Sequence, residues 1–349
     1  MSKKIVFFTG AMGRGGAERV ISILSNYYAN LGWEVKIGML LHSNIEYDLN
    51  PKVEVVNLSS SLGIKLGFLQ TVGNVRRFVN KENPNVIVSF MAQICLIAGL
   101  ALKKGCARLI MSERIDPSQV GRGFFFRKLL DRTYKKADVF VVQTERAKNY
   151  FCKEIQDISV IIANPIKVYA HTNLSSKRIV TAGRLTTQKN HKMLISAFSK
   201  IKKIHPEYTL TIYGEGPLRR ELEEQVSSLG LEDSVSLPGN VPDLHHQISD
   251  AEIFVLPSDF EGLSNALLEA MMMGFPVIST NCAGSDEIIK DMENGILVNI
   301  GNEDALVAAM DRLVSTPDLK TELSERAKKT VEYCKVDSII SKWSEVIDA

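Results

Sequence analysis

Short apolar runs alternate along the chain with longer segments of mixed character. In the first half the runs are KIVFFTG, EVKIGMLL, VEVVNL, NVIVSF, RLIMSE and DVFVVQT. In the second they are RIVTAG, YTLTIYG, SVSLPG, AEIFVLPS, FPVISTN and GILVN. Segments such as 17–31 and 190–204 lie between them and carry apolar positions at helical spacing. Near-continuous apolar strands separated by helices predict parallel sheets covered on both faces. The alternation halts and restarts around IIANPIKVYAHTNLSSKR, whose turn-forming residues read as a boundary. The pattern therefore predicts an α/β protein of two Rossmann-like domains joined near residues 164–176.

Composition supports two full cores: the chain has 349 residues and 45% hydrophobic content. No apolar run reaches the roughly 18–20 residues that span a bilayer. The start, MSKKIVFFTGAMG, runs into a Gly-rich loop instead of a cleavage site and reads as a first strand, not a signal peptide. Five scattered cysteines without a C-x-x-C suit a reducing compartment and argue against a disulfide framework or a structural zinc site. Charge divides the chain. Residues 1–170 hold 24 Lys and Arg against 13 Asp and Glu, and the remainder holds 18 against 27. The basic half is expected to face an anionic partner, or the two halves attract each other.

In open parallel sheets ligands bind beyond the carboxyl ends of the strands, so the segments that follow the strands carry the candidate chemistry. After the first strand, GAMGRGGAERV brings Gly15 and Gly16 to the opening of a helix, where backbone N–H groups favour an anion; a tight strand–helix turn is the alternative. The order is not G-x-G-x-x-G, and the second strand ends without the acid a dinucleotide site requires. After RIVTAG, Arg184 and Lys189 flank a short loop that enters a helix, which suits a diphosphate or two solvated cations. After LTIYG, Gly214 and Gly216 flank Glu215. After FPVISTN, the segment CAGSDEII reads as a turn into a further helix. The most informative stretch is LPSDFEGLSNALLEAMMMG. Ser264 or Asn265 caps a helix that Gly274 ends, and ALLEAMMM between them is apolar all round. A carboxylate in such a helix, Glu269, must find a donor, either ligand hydroxyls or a backbone group. Glu261 waits in the loop before it.

GGAERV, GRLTTQKNH, YGEGPL, FVLPSDFEGLSNALLEAMMMGFPVIST and NGILV occur in an order and spacing that resembles the retaining GT-B glycosyltransferases of family 4 over nearly the whole chain. The resemblance implies a GT-B fold, two Rossmann-like domains facing a central crevice. It implies an acceptor-binding domain of residues 1–165, a nucleotide-sugar-binding domain of residues 166–335, and a C-terminal helix of about 336–349 that crosses back to the first. It assigns Arg184 and Lys189 to the donor diphosphate in place of a divalent metal, Glu261 to the donor sugar and Glu269 to the ribose. Backbone groups of Leu263, Ser264 and Asn265 are assigned to the distal phosphate. Gly15 and Gly16 approach donor and acceptor, Gly214 and Glu215 border the donor, and segment 238–242, with Asn240 and Val241, reads the base. Configuration is retained by front-face attack, with the leaving phosphate helping to deprotonate the acceptor. Several family members place a His after a middle strand; here MSERIDPSQ stands instead, with Glu113, Arg114 or Asp116 as acceptor-side contacts. That form resembles bacterial members that build surface glycans from hexose or N-acetylhexosamine donors.

These readings imply a UDP-sugar donor, a lipid-linked or oligosaccharide acceptor, no cofactor and no metal. The D-x-E at 259–261 is the competing manganese motif, already accounted for by the E-x7-E spacing of Glu261 and Glu269. Residues 121–138 interleave Phe124, Phe125 and Phe126 with Arg122, Arg127, Lys128, Arg132, Lys135 and Lys136, and 62–78 is a second amphipathic candidate. Both suit an anionic membrane surface at the inner face of a plasma membrane, unless the phenylalanines are core. No nucleic-acid motif accompanies the charge. The alternatives are an epimerase of UDP-N-acetylglucosamine on the same architecture, which lacks E-x7-E, or a non-catalytic nucleotide-sugar binder.

Overall fold

The computed structural model describes residues 2–13, 15–41, 45–60, 64–118, 123–169 and 176–349. Arg122, the start of the 62–78 candidate and linker residues 170–175 lie outside them. The chain divides into two compact units, residues 1–165 with 336–349, and residues 166–335.

Unit 1 is built on seven parallel strands: β1 (Lys4–Thr9), β2 (Glu34–Met39), β3 (Val53–Asn57), β4 (Val86–Phe90), β5 (Arg108–Ser112), β6 (Val139–Val142) and β7 (Ser159–Ile161). Their order is β3-β2-β1-β4-β5-β6-β7. The helices are α1 (Gly16–Asn30), α2 (Ile64–Glu82), α3 (Ala92–Ala101), α4 (Phe124–Tyr134), α5 (Glu145–Asn149) and α6 (Lys153–Asp157). β7, an edge strand of three residues, was not expected from the pattern; it is too short to show a period. Strand residues such as Val6, Phe8, Ile87 and Phe140 join Val75, Ile94 and Tyr134 from the helices in one core.

Unit 2 repeats the plan with six parallel strands. It comprises β8 (Arg178–Ala182), α7 (His191–Ile204), β9 (Thr209–Tyr213), α8 (Arg219–Ser228), β10 (Val235–Gly239), α9 (Leu244–Ile248), β11 (Ile253–Leu256), α10 (Asn265–Met273), β12 (Val277–Thr280), β13 (Ile296–Val298), α11 (Glu303–Ser315) and α12 (Pro317–Thr330). The order is β10-β9-β8-β11-β12-β13. The strand order reverses between β8 and β11, and between β1 and β4 in unit 1. Crevices for ligands open at such reversals because the flanking loops diverge. The expected helix after β12 is absent: residues 283–288 form consecutive turns. Gly284 takes φ +87, and a Cβ there would lie 1.7 Å from the Gly262 carbonyl oxygen. That crossing braces the loop before α10 and interrupts helical geometry.

The chain enters unit 2 at Ile166 and leaves it at Lys335, and these residues form a parallel bridge. The last helix, α13 (Val336–Ile347), packs in unit 1. Trp343 is buried 5.5 Å from the Phe90 ring, Arg108 Nε donates to the Val346 carbonyl at 2.8 Å, and Tyr28 Oη donates to Ser344 Oγ at 3.3 Å.

Candidate functional site

The loops after β8 and β11 flank the strand reversal of unit 2 and are tied to each other. A 3-10 turn at Thr187–Lys189 leads to Asn190, whose left-handed φ of 45° suits asparagine better than most residues. Asn190 caps α7 by accepting from Met193 N at 3.3 Å, and its amide donates to Asp259 Oδ1 at 2.8 Å. Asp259 N donates to the Gln188 carbonyl at 2.9 Å, and Gln188 Nε2 donates to the Phe260 carbonyl at 2.8 Å. This lattice brings Lys189 Nζ onto Glu261 Oε1, which also accepts from Ser258 Oγ at 2.7 Å. Two predicted site residues thus meet directly. Both carboxylates of the D-x-E are committed to protein donors. Arg184 is exposed, and no described residue pairs with its guanidinium.

His191, the first residue of α7, lies beneath this loop, 2% exposed. Neither ring nitrogen reaches a hydrogen-bond partner among the described residues. Burial, then the Lys189 charge, push its imidazole down to about 4, against an upward pull from the backbone of Gly183 and Arg184. The ring is therefore neutral at pH 7 and adds no charge to the cationic rim.

Ser264 is the residue that caps α10, its hydroxyl accepting from Leu267 N at 3.5 Å, and Gly274 ends the helix at φ 88°. The backbone N–H groups of Leu263 and Ser264 meet no acceptor among the described residues. They lie at the positive end of the helix dipole, where an anion is favoured. Glu269 lies one turn further along. Its flanks, Leu268 and Ala270 to Met273, are all buried. A donor that was not expected meets it: His245 Nε2 lies 3.0 Å from Glu269 Oε2. An ionised carboxylate only accepts, so Nε2 carries the proton. Tyr169 stacks on His245 with ring centroids 3.7 Å apart and planes 7° from parallel. Sequence reasoning missed His245, since nothing local in PDLHHQ marks it.

The remaining predicted donor residues divide. Gly214 and Gly216 are demanded by close packing: a Cβ would lie 2.1 Å from the Gly183 carbonyl oxygen and 2.3 Å from that of Leu185. Glu215 is committed elsewhere, both of its oxygens accepting from Arg219 at 2.7 and 2.9 Å. Its carboxyl is held below the ordinary range by that guanidinium. Asn240 is exposed and Val241 half-buried on the segment before α9. A shallow hollow of about 640 Å³ lies against α7 and α8. Its lining includes Glu221, Glu224 and Glu303, which repel a diphosphate, so the loop rim is the better candidate.

In unit 1, Gly15 precedes α1 and its carbonyl accepts from Tyr47 Oη at 3.0 Å. Gly16 begins the helix. The Glu18 carboxylate folds over Gly15, with Oε2 2.1 Å from where a Cβ would stand. Burial raises its carboxyl above the ordinary range, its own backbone N–H pulling the other way. Of the acceptor-side candidates, Glu113 turns inward and accepts from Tyr134 Oη at 3.1 Å. Arg114 lies 5.6 Å from Phe90 and 5.5 Å from Trp343, donates to the Ile162 carbonyl at 2.7 Å, and is lowered by burial to about 9. Asp116 Oδ1 accepts from Ser118 N and Oγ at 2.9 and 2.7 Å, and its Oδ2 is 3.8 Å from Arg146 Nε.

Phe124 and Phe125 on α4 are 72% and 85% exposed, so they are not core. Lys128 and Arg132 on the same helix are exposed, whereas Lys135 pairs with Glu154 at 3.2 Å and Lys136 donates to the Gly99 carbonyl. The second amphipathic candidate differs: Val75 and Phe78 of α2 are in the core, with Phe68 and Val72 packed against it. No helix among the described residues is long and apolar enough to cross a membrane.

Two doubly wound parallel domains with such a rim define the GT-B class. The chain matches the Glycosyltransferase Family 4 model over residues 14–168 and the Glycosyl transferases group 1 model over 169–330. It belongs to the group 1 glycosyltransferases. Among relatives, an uncharacterized glycosyltransferase of Haemophilus influenzae is 25% identical over 99% of this chain and 100% of its own length. A Campylobacter jejuni N-acetylgalactosamine-N,N'-diacetylbacillosaminyl-diphospho-undecaprenol 4-alpha-N-acetylgalactosaminyltransferase is 28% identical over 93% of this chain and 94% of its own. Among solved structures, sucrose-phosphate synthase from Thermosynechococcus elongatus superposes with a TM-score of 0.83 at 18% identity, covering 99% and 98% of the two chains. HepE of Anabaena in complex with UDP gives 0.78 at 17%, covering 99% of each.

Proposed function

We propose that this glycosyltransferase moves a hexose or N-acetylhexosamine from a UDP-sugar to a lipid-linked saccharide, with retention, in bacterial surface-glycan synthesis. The carrying observation is one rim in unit 2: Arg184 unpaired among the described residues, Lys189 beside it, the uncapped N–H groups of Leu263 and Ser264, and Glu269 one turn below. Relatives whose names specify undecaprenol-linked acceptors, and a neighbour holding UDP, support the substrate classes.

In this reading Arg184 and Lys189 neutralise the diphosphate while the helix N-terminus holds its distal phosphate. The C1–O bond to that phosphate breaks and the acceptor oxygen bonds to C1 from the same face. The acceptor proton passes to the leaving phosphate oxygen, and UDP departs. The two cations stabilise the charge that develops on that oxygen, where preorganised groups act most strongly. This assigns them the neutralising work a divalent metal performs elsewhere. Glu261 contacts the donor sugar once Lys189 shifts toward the diphosphate, and Glu269 holds the ribose. Arg114 and Asp116 lie on the acceptor side.

The test is UDP release when UDP-glucose, UDP-galactose and their N-acetylated counterparts are mixed with a bacterial membrane-lipid extract in EDTA. Glycolipid product with the donor's anomeric configuration supports the proposal. Binding without turnover, or turnover restored only by manganese, rejects it.

A further inference from the structure

We propose that His245 is a positioning residue of the donor site, holding Glu269 in the orientation that selects a ribonucleotide over its deoxy counterpart. The inference rests on the reading of Glu269 as the ribose acceptor and names the group that makes that acid usable.

The physical problem is local. Glu269 projects from a helix whose neighbouring side chains are buried and apolar. A carboxylate in such surroundings without a partner protonates or turns away, and in either state it is a poor acceptor for two hydroxyls. The His245 Nε2–H at 3.0 Å gives it a donor and fixes one oxygen. A carboxylate has about four lone-pair directions, so donation from His245 does not by itself exhaust them.

The imidazole is itself immobilised. Tyr169 covers one face of the ring in a parallel stack at 3.7 Å. Such a stack removes the ring rotation that would otherwise loosen the donor. His245 also sits at the start of α9, two residues after Asp243, which takes a left-handed φ of 53°. The segment read as base-contacting, 238–242, therefore runs directly into the residue that orients the ribose acid. A ligand that settles that segment also settles His245, and base and ribose are read by one connected piece of chain.

The experiment compares UDP, GDP and ADP with their 2'-deoxy forms by calorimetry, and the tightest ribonucleotide and its partner carry the comparison. Glu269→Ala should remove the ribose preference. His245→Ala should weaken the ribonucleotide by about tenfold or more, the worth of an orienting charged hydrogen bond, with little effect on the deoxy form. His245→Gln, which retains an N–H donor at similar reach, should restore most of the preference, and Tyr169→Ala should fall between. Melting temperatures are recorded for each. If His245→Ala lowers the melting temperature but leaves the ribose preference at the wild-type value, His245 only packs and the inference is overturned. A preference that survives Glu269→Ala instead overturns the ribose reading itself, so the two failures are distinguishable.

Discussion

Lys189 and Glu261, 72 residues apart in sequence, form an ion pair through Nζ and Oε1. One of the two rim cations is thus already neutralised, and Arg184 carries the unshared charge. Under the proposed function an incoming diphosphate would have to draw Lys189 away from Glu261, and binding would then release the Glu261 carboxylate for the sugar, coupling the two events.

Glu261→Ala should separate binding from chemistry. Freed from its partner, Lys189 meets the diphosphate without competition, so UDP should bind at least as tightly as to the native protein. Turnover should fall by about 10² or more, because a contact to the reacting sugar is lost. Calorimetry of UDP binding together with single-turnover rates checks both halves. Equal losses in affinity and rate would remove the proposed exchange.

Arg184 offers the converse separation. It is exposed and pairs with no described residue, so the fold does not depend on it. Arg184→Ala should leave unfolding free energy within about 0.5 kcal/mol of native. It should lower kcat/KM by roughly 10²–10³, the range for removing one preorganised donor from a developing anion. Arg184→Lys should recover only part, because the planar fork is lost. Urea denaturation and steady-state kinetics on the same preparations decide.

His191 makes stability depend on pH in a predictable sense. Its folded imidazole titrates at about 4, below the ordinary 6.5. The unfolded chain therefore binds the extra proton first as pH falls. The stability that comes from burying the neutral ring is fully present above pH 6.5, declines from there, and is gone below pH 4. The difference is on the order of 3 kcal/mol. Carboxylates contribute their own acid sensitivity, so the comparison is with His191→Gln. Measured by urea at pH 7.5, 5.5 and 4.5, the native advantage over that variant should shrink across this window. A constant advantage would refute the assignment.

The features legible in the sequence were those whose cause is local. Alternating apolar runs announced every strand except β7, which has only three residues. Ser264 and Gly274 announced the ends of α10. Partners across the fold were hidden. Nothing in PDLHHQ identifies His245 as the donor to Glu269, because the two meet only once α9 and α10 are placed by their strands. Likewise the Asn190–Asp259 and Lys189–Glu261 contacts depend on β8 and β11 being neighbours. Glu215 was hidden in the same way: it lies in the loop before α8 and is occupied by Arg219, the first residue of that helix, so no helical spacing forecast the pair. The turns after β12 were misread as a helix because the demand on Gly284 comes from the Gly262 carbonyl in another loop.

The exposed face of α4 carries the last prediction. Phe124 and Phe125 project beside exposed Lys128 and Arg132, in the half of the chain richer in basic residues. Two aromatic rings left in water are unfavourable, whereas an anionic bilayer takes rings and cations together. Native protein should sediment with vesicles containing phosphatidylglycerol and remain in solution with phosphatidylcholine alone. Phe124→Ser with Phe125→Ser should abolish sedimentation without changing the melting temperature, since neither ring packs in the core. Lys128→Glu with Arg132→Glu should weaken it by about 2 kcal/mol or more, each cation near such a surface contributing about 1 kcal/mol. The electrostatic part should fade in high salt while the aromatic part persists. Equal binding to both lipids, or no loss in the serine variant, would show that α4 does not face a membrane.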